Sequence, residues 1–500
     1  MRPAASSSMG FRWQAPPPVQ RVGRLGLTGT AARSMPTAPH KLPPVAHERP
    51  PATLVRSLGA IGVLFLTLSA ATPASSVFAI VPGMFAAAGT GTIWALMLAG
   101  IVCWATAYIY AELSSAWPVA GGEYVMVGRT LGPLAGFVVL GINVFNNMLF
   151  PPVVALGIGD VLATRWPALP QVPLAIGVML VSTVVGLLNI RVNALLTGAF
   201  LLLELAALAV VSALGLLHPA RALAPMLLHP VMPDGGGLAP ASATSIGVAT
   251  TIAIFAFNGY GMAVYFGEEM KHASTRIGGV ILAALALTLI AEGVPVLAAL
   301  LGAPDLKGLL AATDPFGAFT VARGGRALGG WMAAAVTIAM VNAAIVTILA
   351  CARFFFSTGR DRAWGRHVDA LLTMVHPRHR NPWASTVLIG AVGVAACFLP
   401  LRLLLMLNGA GLIVTYAGIS MAALVGRRSG ATAHAAYRMP LFPLAPVVAL
   451  GALGYVCWTN WLDTTEGRPG LLATAAQMAL AAVYYLMVLR RRPGGWHVAG

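Results

Sequence analysis

The sequence predicts an all-α protein that crosses a membrane many times, and three observations predict it. Only 9% of the 500 residues are charged, 58% are hydrophobic and the mean hydropathy is +0.82; a soluble protein carries about 25% charged residues. The apolar residues gather into separate stretches, most of about the 20 residues that a spanning helix needs. The basic residues fall in the tails and in the connections between those stretches. A net charge of +16 therefore reads as topology determinants and contacts to anionic lipid, with the lipid bilayer as partner and no nucleic acid. Cys103, Cys351, Cys397 and Cys457 lie inside apolar runs without pair spacing, which indicates neither a disulfide framework nor a metal site. No cofactor is implied.

Residues 1–56 are rich in Pro, Ala, Arg and Ser and read as a disordered basic tail. No signal-type apolar run follows the start, and Met9 and Met35 offer later starts. Twelve apolar stretches follow, at Ser57–Phe85, Thr92–Ala116, Pro133–Leu162, Val172–Asn189, Ala194–Leu217, Ser245–Gly267, Gly278–Leu301, Gly330–Phe356, Ala384–Leu399, Leu403–Val425, Leu441–Trp461 and Gly470–Leu489. Residues 218–244 are expected as an extracellular loop and 491–500 as a short cytoplasmic tail. With the N-terminus in the cytoplasm, the inner connections hold Arg129, Arg191, Lys271, Arg276, the run from Arg353 to Arg380, Arg427, Arg428, Arg438 and Arg490–Arg492. The bias places both termini inside the cell, as an even number of spans requires.

Two stretches are interrupted. The first contains Leu68-Ser69-Ala70-Ala71-Thr72-Pro73-Ala74-Ser75-Ser76, where a proline removes an N–H and small hydroxyl residues crowd the break. The sixth contains Phe255-Ala256-Phe257-Asn258-Gly259-Tyr260-Gly261, and glycine costs roughly 1 kcal/mol relative to alanine within a helix. An opened backbone survives at membrane depth only where protein or a water-filled cavity satisfies it. The first and sixth stretches run in opposite directions. Interrupted, antiparallel segments five apart are what a five-plus-five inverted repeat produces, with 57–217 as one repeat, 245–426 as the other and 427–490 as two appended helices.

The residues that complete the picture are Ala111-Glu112-Leu113, Pro118-Val119-Ala120-Gly121-Gly122-Glu123-Tyr124, and Gly132-Pro133 followed by Gly136-Phe137. With them go Gly267-Glu268-Glu269-Met270-Lys271 and Arg276, Cys351-Ala352-Arg353, Gly359-Arg360-Asp361, His376-Pro377-Arg378 and Asn381-Pro382-Trp383. In order, over roughly 57–490, these motifs resemble the amino acid–polyamine–organocation permeases. The resemblance implies a leucine-transporter-type fold and secondary transport of amino acids or related amines across the cell membrane by alternating access. Many members have a Gly-rich run at the helix-one break; this chain has Ala-Thr-Pro-Ala-Ser-Ser there, so its backbone is expected to open differently.

A zwitterionic substrate needs donors for its carboxylate and acceptors for its ammonium. The half-helix beginning at Thr72 offers N–H groups through Ala74, and the hydroxyls of Ser75 and Ser76 can add to them or bond back to helix carbonyls. The acceptors are expected from the carbonyls of Phe255, Ala256, Phe257 and Asn258, with Gly259 at the opening and Phe257 or Tyr260 as an aromatic lid. Asn143, Asn146, Asn147 and Asn342 read as interhelical glue. Glu204 and Glu292 lie centrally in the fifth and seventh stretches, where a bare charge costs at least about 2.5–3.5 kcal/mol; they are the candidates for proton coupling, and the resemblance, in which helix five often contributes to the coupling site, implies Glu204 foremost. Glu112 serves packing or an inner gate. Glu268, Glu269, Lys271, Arg276 and Arg353 are expected to gather at the inner face as a gate of ion pairs, or as ordinary surface pairs.

Proton-coupled symport or exchange of amino acids is the leading reading, and a polyamine or organic-cation exchanger the alternative. A channel lacks its continuous polar stripe and a sensor its soluble domain. No HExxH or GxxxxGK[ST] motif supports an enzyme or an ATP-driven pump.

Overall fold

The computed structural model describes residues 54–163, 170–235, 237–492, 496 and 498. The expected basic tail thus lies outside the described residues except for 54–56, and so does most of 491–500.

Local sequence explains the first helix break. Helix α1 (Ala60–Ala71) ends at Thr72, whose φ of 45° and ψ of 67° are left-handed. The residue before a proline is pushed out of the right-handed helical region, and Pro73 follows. A β-branched residue with positive φ is a true outlier. The chain resumes as α2 (Pro73–Ser75), a π-helical stretch (Ser76–Ile80) and α3 (Val81–Ala88). The long helices α4 (Thr92–Ala116), α6 (Pro133–Ala163) and α8 (Ile190–Leu216) follow, with the short amphipathic α5 (Glu123–Leu131) after α4 and α7 (Gln171–Gly186) before α8. The connection 218–244 holds a helix, α9 (Leu223–Leu228), and a hairpin of β1 (Val231–Asp234) and β2 (Gly237–Pro240), with Val231 opposite Pro240.

The second break has a different origin. Helix α10 (Ala243–Ala256) stops at Phe257, Gly259 takes φ 119°, and Tyr260–Glu269 continues as a 3₁₀ helix. Beyond it come α11 (Ala273–Gly302), α12 (Leu306–Ala311) and α13 (Pro315–Arg360), which bends at Gly325 and is longer at both ends than the apolar stretch inside it. The remaining helices are α14 (Arg366–Leu372), α15 (Trp383–Ala396), α16 (Leu401–Gly409), α17 (Gly411–Ser429), α18 (Leu444–Leu462) and α19 (Gly467–Met487). The expected tenth stretch is thus divided between α16 and α17. Each apolar stretch is helical along most of its length. Among the described residues, eight helical runs are long and apolar enough to cross a membrane, the first of them holding both α1 and α4, with α7 and α15 as shorter apolar helices. The protein is multi-pass.

The core places the breaks at its centre. Helix α11 packs on α4 and α8, α1 on α8, α11 and α13, and α10 on α4 and α3. The breaks touch. A Cβ on Gly259 would lie 2.5 Å from the Ala71 Cα and 2.8 Å from its Cβ, so only glycine permits this approach. The far ends of the two segments also meet, as Leu58 N–H donates to the Glu269 carbonyl at 2.9 Å and Lys271 N–H to the Leu58 carbonyl at 2.9 Å.

Gly259→Ala should therefore destabilise the purified protein by about 1–3 kcal/mol, through positive φ and the contact with Ala71. Gly293→Ala, in α11 with nothing within 4 Å of the added methyl, should be neutral or stabilising by up to about 1 kcal/mol. Thermal unfolding in detergent distinguishes the two, and equal effects would contradict the close approach.

Candidate functional site

The turn that opens α2 has few donors to offer. Pro73 has no N–H, and the Ser76 N–H donates to the Thr72 carbonyl at 3.1 Å. That leaves Ala74 and Ser75, the positions where a helix N-terminus presents unsatisfied donors. The Ala74 N–H donates to Glu204 Oε1 at 2.8 Å. A side chain of α8 thus occupies the position where the sequence places a substrate carboxylate. Ser75 is half-buried, while Thr72, Ala74 and Ser76 are buried.

The acceptors at the second break are also partly engaged. The Ser76 hydroxyl donates to the Ala256 carbonyl at 3.0 Å, and the Asn258 N–H to the Phe255 carbonyl at 3.1 Å. Asn258 Oδ1 accepts from the Gly259 N–H at 2.8 Å and from the Tyr416 hydroxyl at 2.5 Å, so this side chain props the opened backbone. Ser76 and Ala256, both expected at the substrate site, join the two breaks to each other. The structure is closed at this point.

The hollow beside the second break lies on its other flank. A cavity of about 200 Å³ sits among α4, α10, α17 and α18, lined by Thr106, Phe255, Asn258, Tyr260 and Tyr416. Phe257 is buried and faces a different, apolar recess with Ile93, Trp104 and Leu289. In this state it closes over nothing between the breaks. Tyr260 stands edge-on to Tyr110 at 6.2 Å, and Tyr110 edge-on to Tyr416 at 6.0 Å.

One buried carboxyl escaped the sequence reading. Glu123, at the start of α5, accepts from the Tyr110 hydroxyl at 2.8 Å, the Tyr265 hydroxyl at 3.0 Å and Asn143 Nδ2 at 3.1 Å. It draws α4, α6 and the 3₁₀ segment together below the second break. The available signal was a carboxylate placed directly after Gly121-Gly122 in a chain with only 15 acidic residues. Asn143 Oδ1 also accepts from the Thr415 hydroxyl of α17 at 3.0 Å, and Asn147 Oδ1 from the Cys351 thiol of α13 at 3.2 Å, in keeping with a role as interhelical glue.

Ion pairs close the end of the bundle where α4 and the 3₁₀ segment finish. Arg353 and Glu269, each 1% exposed, form a two-pronged pair; the Arg353 guanidinium also donates to the Leu349 carbonyl at 2.7 Å and lies 5.2 Å from the Phe266 ring centre. Glu268 accepts the Ala120 N–H at 2.9 Å and pairs with Arg360, a partner the sequence reading did not name. Glu112 holds Arg427 at 2.6 and 2.7 Å and the Met439 N–H at 2.8 Å, tying α4 to α17. Lys271 and Arg276 stand apart. Both are exposed, and neither side chain pairs with a described residue.

Glu204 and Glu292 are fully buried. Among the described residues Glu204 Oε2 and both Glu292 oxygens have no hydrogen-bond partner. Glu292 faces Ser76 and Glu204, but the Ser76 hydroxyl is committed to Ala256.

Two broken helices in contact at the core of a multi-pass bundle, with buried carboxyls beside them, define a membrane carrier of small solutes. The chain belongs to the amino acid permease family, whose model matches residues 58–488. It is a transporter and not an enzyme. It is 27% identical over 382 residues to an uncharacterized transporter of Mycobacterium tuberculosis, covering 74% of this chain and 80% of that one. It is 24% identical over 418 residues to the branched-chain amino acid permease BcaP of Bacillus subtilis, covering 78% and 84%. The methylthioribose transporter of the same organism is 25% identical over 395 residues, covering 72% and 79%.

Removing one member of a buried ion pair strands the other charge, which costs about 3–5 kcal/mol, whereas replacing both by apolar residues is often neutral. Glu269→Leu should thus lower the unfolding temperature sharply, and Glu269→Leu with Arg353→Met should recover most of the loss. A double variant no more stable than the single one would contradict the pairing.

Proposed function

We propose that the chain is a secondary active transporter that moves amino acids across the cell membrane by alternating access, driven by protons. The observation that carries this reading is the junction of the two breaks, where Ser76 of one helix bonds the Ala256 carbonyl of the other. Exchanging those bonds for a solute's carboxylate and ammonium is a direct way to couple occupancy to helix movement. In this reading twelve spans comprise two inverted repeats of five and two appended helices, with both termini in the cytoplasm. The pairs Arg353–Glu269 and Arg360–Glu268 are the inner gate and are shut in the state described. Because they are made in one state and lost in the other, they bias the equilibrium between states.

The apolar residues Ile254, Phe255, Leu412 and Ile413 beside the cavity suit an aliphatic side chain, which makes branched-chain amino acids the first compounds to test. A second reading, an exchanger of polyamines or organic cations, is favoured by one observation. Glu204 and Glu292 are both buried, and no cationic side chain among the described residues pairs with them.

Purified protein in liposomes, given an inward proton gradient, should accumulate one or more labelled amino acids, and a protonophore should abolish the accumulation. The panel should include putrescine and methylthioribose. Uptake of either with none of any amino acid would overturn the amino acid reading.

A further inference from the structure

We propose that Glu204 is an internal stand-in for the substrate's carboxylate, which must take up a proton and release the Ala74 N–H before a carboxylate-bearing substrate can bind at the first helix break. The inference rests on the amino acid reading above and adds to it the means by which proton and solute are linked.

The geometry carries the argument. The first turn of α2 has two backbone donors, and one already holds Glu204 Oε1 at 2.8 Å. That hydrogen bond favours the ionised form of Glu204 and offsets part of the cost of burying its charge. A substrate carboxylate needs the same donor and carries the same charge, and two carboxylates sharing a site in low dielectric do not both stay ionised. Ionised Glu204 and a bound carboxylate therefore exclude one another.

A proton resolves the conflict. Glu204 Oε2 is buried and has no partner among the described residues, so it is the oxygen free to receive one. With the proton on Oε2 the carboxyl is neutral, its hold on Ala74 weakens, and the substrate carboxylate accepts that N–H in its place. When the proton departs on the other side of the membrane, the carboxylate returns to Ala74 and expels the solute. One proton enters and leaves with each substrate, and linkage makes the effect reciprocal, as each ligand raises the affinity for the other.

The surroundings single out this group. From α11 the facing titratable group is Glu292. Helix α1 has no charged residue, and α13 has none between Arg326 and Arg353. The side chains of α2 and of the π-helical stretch bring only the hydroxyls of Ser75 and Ser76. The displaced contact is also mechanically placed: Ala74 lies two residues from Ser76, which holds the second break through Ala256.

The test compares a carboxylate with its absence. Binding of labelled leucine and of 3-methylbutylamine, its decarboxylated counterpart, is measured on full-length wild-type protein between about pH 6 and about pH 9. Over this range leucine stays zwitterionic and the amine stays a cation. The expected result is leucine affinity that rises as pH falls, by up to about tenfold per unit, the limit for one linked proton. The amine should show no such rise. Glu204→Gln, neutral at every pH, should bind leucine with affinity independent of pH. Equal pH slopes for leucine and the amine in the wild type would overturn the proposal without any variant, as would an unchanged slope in Glu204→Gln. If no carboxylate-bearing compound binds at any pH while the amine does, the amino acid reading itself fails, and this inference with it.

Discussion

The contact between the two helix breaks is the constraint on which the rest of the structure depends. Unwound backbone has no solvent to bond at membrane depth, and each break here is satisfied largely by the other or by a side chain aimed at it. Ser76 serves Ala256, Glu204 serves Ala74 and Asn258 serves Gly259. The steric condition is equally local, since Gly259 lies against Ala71 where no side chain fits. In the proposed function a solute that enters replaces these bonds, so that ligand binding and helix separation are one event.

The same junction is braced at a distance. Leu58, just before α1, pairs its backbone with Glu269 and Lys271, just beyond the 3₁₀ segment. Glu269 in turn holds Arg353 of α13, and Glu268 holds Arg360 and the loop at Ala120. Glu123 adds a buried polar centre that joins Tyr110, Tyr265 and Asn143. Opening this end therefore requires charged groups to lose partners in a poorly hydrated place, unless water enters as they part. In the proposed cycle these pairs separate two discrete states.

Much of this was legible in the sequence because it is local. Hydropathy located the helices, Thr72-Pro73 marked one break and Asn258-Gly259 the other, since the preference of a pre-proline residue and the freedom of glycine act within a few bonds. Partnerships between distant segments were harder to read. Arg360, and not Lys271 or Arg276, reaches Glu268, and Glu123 is claimed by tyrosines more than ten residues away in either direction. Phe257 reads as a lid from its place in the motif, and which recess it lines, here one with residues of α4 and α11, depends on packing the motif does not encode. Glu204 was marked by its depth and by the resemblance of its helix to one that contributes to coupling. That it caps α2 depends on how α8 packs against the first break, which no periodicity encodes.

The central claim is that the two breaks form one solute-responsive unit. Hydrogen–deuterium exchange of the protein in nanodiscs, with and without a transported amino acid, tests it most directly. The account predicts that the solute changes exchange at 68–76 and at 255–261 together, with the same concentration dependence. A response at one break only, or at neither while transport proceeds, would contradict it.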